Sequence, residues 1–309
     1  MRWTKEGRSR NLEDRRAQTG RGGFGRSGGR GARIPLPSGR GGRMSLTSII
    51  IMLAAAYFLG INPLSLLTGG GMGTGGLGGP TTGMSGGPAS VGAPQGQLRT
   101  TEAEEEQVDF ISFVLDDVQT TWSGLLPGYR DAKLVLFRDA TRSGCGVGQS
   151  EMGPFYCPAD EKVYVDLSFY DDLKRQFGAP GDFAQAYVLA HEIGHHIQSI
   201  TGLERKVRDQ QRSNPRLKNE LSVRMELQAD CLAGVWGHQA GNRNVLERGD
   251  IEEGLRAAAA IGDDRIQKMS GRGVHPESWT HGSSEQRQKW LNTGLRVGDP
   301  NQCDTFGGL

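Results

Sequence analysis

Apolar residues recur every three or four positions at Val108, Ile111, Leu115, Val118, Trp122 and Leu125, after an acidic turn from Glu102 to Glu106. That spacing predicts an amphipathic helix whose first turn complements the helix dipole. Lys133 to Phe137 and Lys162 to Leu167 are short β-like runs, and the Gly- and Cys-containing stretch between them suits a looped hairpin. An apolar, helix-compatible run from Asp182 to Ile200 follows, with Asp182 placed to cap it and Gly202 to end it. After a polar stretch from Glu204 to Asn214, a second long helix is predicted from about Pro215 to His238. Asp250 with Glu253 has capping-box spacing before Ala257 to Ile261, and Ser283 with Gln286 opens a last helix carrying Trp290, Leu291 and Leu295. No repeat of solenoid length is present. Residues 101–309 therefore read as one α+β domain, mostly helical with a small β-sheet.

The first hundred residues follow a different pattern. Between Arg43 and Arg99 there is no charged residue, and Leu46 to Ile61 is almost wholly apolar. Extended to Leu67 as a helix, this run would be about 33 Å long, enough for a bilayer core of about 30 Å, although Asn62-Pro63 weakens its far end. Residues 44–67 are thus expected to form one transmembrane helix. Residues 1–43 are Arg/Gly-rich and read as a disordered basic tail, while 68–100 read as a Gly-rich linker keeping the domain near the membrane. An RGG-like role in RNA binding is the sharper reading of the tail, and contact with anionic lipid the plainer one; nucleic acid is not the expected partner.

Charge sharpens this division. The net charge of +1 hides twelve Lys/Arg against three acids in residues 1–43. A basic lead before an apolar span predicts a cytoplasmic N-terminus, with the domain extracytoplasmic, in the periplasm or its equivalent. Ala54-Ala55-Ala56 resembles a signal-peptide cleavage site, but a 43-residue lead is too long for an ordinary n-region. The four cysteines, Cys145, Cys157, Cys231 and Cys303, all lie beyond the span, where an even number fits disulfides in an oxidising compartment. Three pairings are possible. The short loop between Cys145 and Cys157 favours that pair and leaves Cys231 with Cys303.

The chemistry centres on His191-Glu192-Ile193-Gly194-His195. Residues four apart share a helix face, so His191 and His195 can aim two imidazoles at one Zn2+ ion, with Glu192 placed as a general base. Burying that trio in an apolar helix without a metal would cost several kcal/mol, on the order expected for unpaired polar groups. His196 faces elsewhere and reads as a packing residue. Catalytic zinc generally takes three protein ligands. Glu226 and Asp230, four apart in an otherwise apolar helix, supply one carboxylate for the metal and one to orient a ligand histidine. Glu220 and His238 are weaker third-ligand candidates, and His275 before Pro276 reads as a turn residue.

Together, His191 to Gln198, Glu226 to Trp236 and the openings Met1-Arg2-Trp3 and Asn11 to Arg16 resemble the bacterial neutral zinc metallopeptidase family, a gluzincin-like group, over nearly the whole chain. The resemblance implies His191, His195 and Glu226 as zinc ligands, Glu192 as base and Asp230 beside the ligands, in a zincin-like fold acting on peptides or proteins. Thr280 to Arg287 resembles the downstream His and Arg segment of membrane-associated gluzincins, which implies roles near the metal for His281 and Arg287, although Gly282 stands where those proteins often carry Pro. The resulting expectation is a membrane-anchored zinc metallopeptidase of the cell envelope. A zinc-stabilised binding or chaperone module and a peptidoglycan amidohydrolase are the alternatives, and intact Glu192 favours an enzyme, because a structural metal needs no base.

Overall fold

The computed structural model describes residues 1–5, 7–18, 100–271 and 273–307. The expected transmembrane helix and nearly all of the expected linker lie outside them. Among the described residues, no helix is long and apolar enough to cross a membrane.

Helix α1 (Glu102–Leu125) begins where Thr101 accepts the Glu104 N–H and buries the predicted stripe of Val108, Ile111, Leu115, Val118 and Trp122. Strands β2 (Lys133–Phe137) and β6 (Lys162–Asp166) coincide with the two predicted runs to within a residue. They are parallel neighbours, not the arms of one hairpin, with Leu134 beside Val163 and Leu136 beside Val165. Parallel pairing needs a long connection. The stretch between them supplies it with a hairpin of its own, β3 (Ala140–Ser143) and β4 (Gly146–Gln149), and then β5 (Phe155–Cys157), which returns antiparallel to β6.

The fourth strand of the sheet comes from the beginning of the chain. β1 (Leu12–Asp14) pairs parallel with β2, giving the order β1-β2-β6-β5. This corrects the expectation of a solvated tail for residues 1–18: Met1, Ser9 and Arg16 are buried in the domain. Composition averaged over 43 residues hid a segment whose basic residues find carboxylate partners one by one. Residues 19–43 lie outside the described residues.

The helical layer holds α2 (Ser168–Arg175), α3 (Asp182–Ile200), α4 (Leu203–Ser213), α5 (Lys218–Asn242), α6 (Asp250–Ala260), α7 (Asp263–Met269) and α8 (Ser284–Val297). α3 spans the predicted run, but Gly181 occupies the cap position and Asp182 is its first helical residue. α4 forms where only a polar stretch was expected, because buried Val207, with Leu203 half-buried beside it, anchors it to Leu221 and Phe306. α8 opens with the predicted capping box of Ser283 and Gln286. Two disulfides, Cys145–Cys157 and Cys231–Cys303, staple the β3–β4 turn to β5 and the C-terminal tail to α5. The result is an α+β domain in which α3 is packed between the sheet and α5.

Candidate metal centre

A close helix contact sets the site. A Cβ on Gly194 would lie 3.0 Å from the Ala229 Cα, so the glycine inside the His-Glu motif lets α3 approach α5 closely. Ala229 belongs to the turn after Glu226, and the approach brings that carboxylate to the histidines. His191 Nε2 lies 3.2 Å from Glu226 Oε2, and His195 Nε2 lies 3.5 Å from Glu226 Oε1. One donor atom from each of the three residues falls within 4.8 Å of the others.

This donor set fits zinc. With metal–ligand bonds near 2.0–2.1 Å, the edge of a tetrahedron is about 3.3 Å, close to both separations. Two imidazoles and a carboxylate are a donor set used by catalytic zinc, which leaves the fourth position free. Both rings present Nε2 because both Nδ1 atoms are engaged. His191 Nδ1–H donates to Asp230 Oδ1 at 2.8 Å, and His195 Nδ1–H donates to Gln198 Oε1 at 2.9 Å. Each partner is itself held. Asp230, fully buried, takes a two-pronged contact from Arg287, Nε to Oδ2 and Nη2 to Oδ1, both at 2.8 Å, and accepts the Tyr187 hydroxyl at 2.6 Å. Gln198 donates to the Met225 carbonyl and to Gln228, which in turn donates to the carbonyl of Cys303. The orientation of His195 is therefore tied to the tail held by the second disulfide.

Electrostatics agree with a cation site. Burial disfavours charge on His191, yet Asp230 and Glu226 outweigh it and raise its pKa to about 9. Burial likewise opposes the Glu226 carboxylate, and His195 and His191 nevertheless hold its pKa well below the usual range. Protons on the imidazoles thus balance charge that a divalent ion would balance on binding.

Glu192 is buried one residue from His191 and has no hydrogen-bond partner among the described residues. The buried Tyr170 hydroxyl, equally unpartnered, feels its charge. Beside His195 and Glu226 opens a cavity of about 290 Å³ between α4 and α5, lined also by Val207, Met225 and the Glu204–Arg208 ion pair.

The other sequence candidates fall elsewhere. Glu220 pairs with Arg224, and His238 Nδ1–H donates to the Leu295 carbonyl, so neither joins the triangle. His196 Nε2–H donates to the Arg130 carbonyl while Nδ1 accepts from Tyr156, and burial lowers its pKa. His275 precedes a 3-10 turn and is exposed. His281 stands outside the triangle, half-exposed, with Nδ1 3.2 Å from Asp263 Oδ1. The hydrogen bond to Asp263 raises its pKa against a smaller opposing loss of solvation, and Glu226 adds a smaller attraction. Gly282 has φ +91°, out of reach of proline, and a Cβ there would meet Val223 and Leu227, flanking Glu226 on α5. Tyr187 and Gln198 were not singled out from sequence, although each has helical spacing to a ligand, four before His191 and three after His195.

No solved structure gives a significant match. The chain is 47% identical over 312 aligned positions to Uncharacterized protein YpfJ of Escherichia coli K12, covering 99% of each chain. It is 46% identical over 202 positions to Uncharacterized protein Rv2575 of Mycobacterium tuberculosis H37Rv and to Uncharacterized protein Mb2605 of Mycobacterium bovis, covering 62% of this chain and 68% of each of those. The model of the family described as "Putative neutral zinc metallopeptidase" matches residues 1–306, and the chain belongs to that family.

Proposed function

We propose that this protein is a zinc-dependent peptidase that hydrolyses peptide bonds in the cell envelope, attached to the membrane through residues 44–67. The observation that carries the reading is the Nε2, Nε2 and carboxylate triangle with buried Glu192, unpartnered among the described residues, beside it. The two disulfides support an oxidising, extracytoplasmic location. His191, His195 and Glu226 would hold the metal, and a zinc ion there supplies Lewis acidity towards a carbonyl and towards water. Glu192 takes the proton of the attacking water and returns it to the leaving amine. Asp230, clamped by Arg287 and Tyr187, fixes the tautomer of His191, as Gln198 does for His195. His281, steadied by Asp263, donates to the developing oxyanion. β5 is the sheet edge on the α3 side and supports an extended substrate strand.

Glu192→Gln tests the reading. The substitution is nearly isosteric and removes no ligand, so zinc content and fold should be kept while cleavage of a peptide substrate falls by about 10²–10⁴-fold. Equal cleavage by both proteins would refute the mechanism. A wild type that holds zinc but cleaves nothing in an unbiased peptide library would point to a zinc-stabilised binding module.

A further inference from the structure

Residues 1–18 are bound to the domain by contacts that the reaction does not need. The Met1 nitrogen sits among carboxylates, 2.6 Å from Asp182 Oδ2, 3.3 Å from Glu247 Oε2 and 3.4 Å from Asp250 Oδ2. Asp182 opens α3 and Asp250 opens α6, so this contact ties the start of the metal helix to its neighbour. The Arg2 N–H donates to the Val245 carbonyl at 2.7 Å, and Trp3 meets Phe110 edge-on at 5.5 Å between ring centres. β1 then completes the sheet.

Arg16 closes the segment. Its side chain is buried, and its guanidinium reaches Asp14 Oδ1 through Nε at 2.9 Å, Glu104 Oε1 through Nη1 at 2.9 Å and Glu105 Oε1 through Nη2 at 3.0 Å. A buried, multiply bonded guanidinium is a specific anchor, because leaving it unpaired there would be costly. Glu104 and Glu105 lie in the first turn of α1, near where the described chain resumes at Thr100. The described chain thus stops at Gln18 and resumes at Thr100 beside the same contact.

That geometry conflicts with a single membrane crossing between residues 18 and 100. One crossing would separate Arg16 from Glu104 by a hydrocarbon layer of about 30 Å, whereas the two are in contact. The charge argument for a cytoplasmic N-terminus also weakens. Half of the twelve basic residues before Met44 lie in residues 1–18, and all six, Arg2, Lys5, Arg8, Arg10, Arg15 and Arg16, have a carboxylate partner within the domain. Basic residues orient a span through their interactions near its ends, and these are engaged elsewhere.

We infer that Met1–Gln18 is a docked element of the metal-site domain and lies on the same side of the membrane as that domain. The N-terminus is therefore not left behind in the cytoplasm when the domain stands outside. The inference holds whichever side the domain occupies, and so stands apart from the envelope location proposed above.

The test uses the full chain in bacterial membranes. Arg10→Cys places a thiol on an exposed position of the docked segment, and Gln210→Cys places one on exposed α4. A membrane-impermeant maleimide applied to spheroplasts should label both or neither. Labelling of position 210 with protection of position 10 overturns the inference, as does the reverse. Protection of both until lysis keeps the inference and refutes the envelope location. Docking is read separately by a short bis-maleimide across Arg10→Cys and Asp131→Cys, whose native side chains lie 3.8 Å apart. An intramolecular cross-link is expected, and its absence in protein that still binds zinc would overturn the docking.

Discussion

Gln198 shows what a single side chain can contribute without touching the metal. Its Oε1 is the acceptor for His195 Nδ1–H, and both of its amide donations are also used, so it cannot turn without breaking contacts to Met225 or Gln228. Gln198→Leu removes the acceptor while keeping bulk. Loss of such a partner typically costs about 10–100-fold in metal affinity, and that is the expected weakening for zinc, measured by chelator competition. Gln198→Glu retains the acceptor but gives up both donations, so its affinity should fall less than that of the Leu variant. A Co2+ spectrum altered in the Leu variant but not in the Glu variant would mark a change in ligand geometry; identical affinities in all three proteins would refute the role. The proximity of His191, His195 and Glu226 was legible in the sequence because helical spacing makes His191 and His195 neighbours and because an acidic pair is conspicuous in an apolar helix. Gln198 was not, since a glutamine three residues from a histidine is equally at home on a wet surface, and only the approach of α5 shows its amide buried against Met225.

At the scale of elements, the site depends on how closely α8 lies against α5. A Cβ on Gly294 would stand 2.0 Å from the Cys231 carbonyl oxygen, and one on Gly234 would stand 2.2 Å from that of Leu291. The facing glycines let the backbones touch, and that contact places Arg287 of α8 against Asp230 of α5. Alanine is the better helix former by about 1 kcal/mol, so on propensity Gly294→Ala should stabilise the protein. Overpacking of about 1–3 kcal/mol or more should outweigh that gain. The expected result is a lower denaturant midpoint, with weaker zinc binding as Arg287 is carried away from Asp230. An unchanged or raised midpoint would show that the helices can part at no cost. Periodicity located α1 and α8 because each buries a regular stripe, and α3 stood out as a long apolar run because it is buried on nearly every face. Periodicity misjudged the β2–β6 connection because strand direction depends on which distant strand is chosen, and it missed α4, whose single buried valine leaves almost no stripe to read.

For the molecule as a whole, the docked segment makes stability depend on acid in a predictable direction. Burial opposes the charge of Asp14, yet Arg16 and Arg8 hold its pKa down from 3.8 to about 2. Glu13 and Glu105 are also lowered from 4.5 against opposing burial, by Lys162 and Arg15 in the first case and chiefly by Arg16 in the second. A carboxyl group whose pKa is lower when docked stabilises docking fully above its undocked value and loses that contribution as pH falls through its docked value. Docking should therefore be at full strength above about pH 4.5 and weaken progressively towards pH 2. Metal-free protein is the right material, because zinc would also be released over part of that range. Hydrogen exchange at residues 12–14 should accelerate towards acid before exchange in α3, beyond the intrinsic pH dependence of the amides. Arg16→Met should show fast exchange in β1 already at neutral pH, with little further acid sensitivity. Composition could not reveal this behaviour, since it counts Arg16 as one more charge in a basic tail, whereas the folded domain makes it the bond between the first strand and the first helix. If β1 and α3 lose protection together at every pH, or if Arg16→Met leaves β1 as protected as wild type, the segment is not held by these ion pairs and its docking rests on β1 pairing and the contacts of Met1, Arg2 and Trp3.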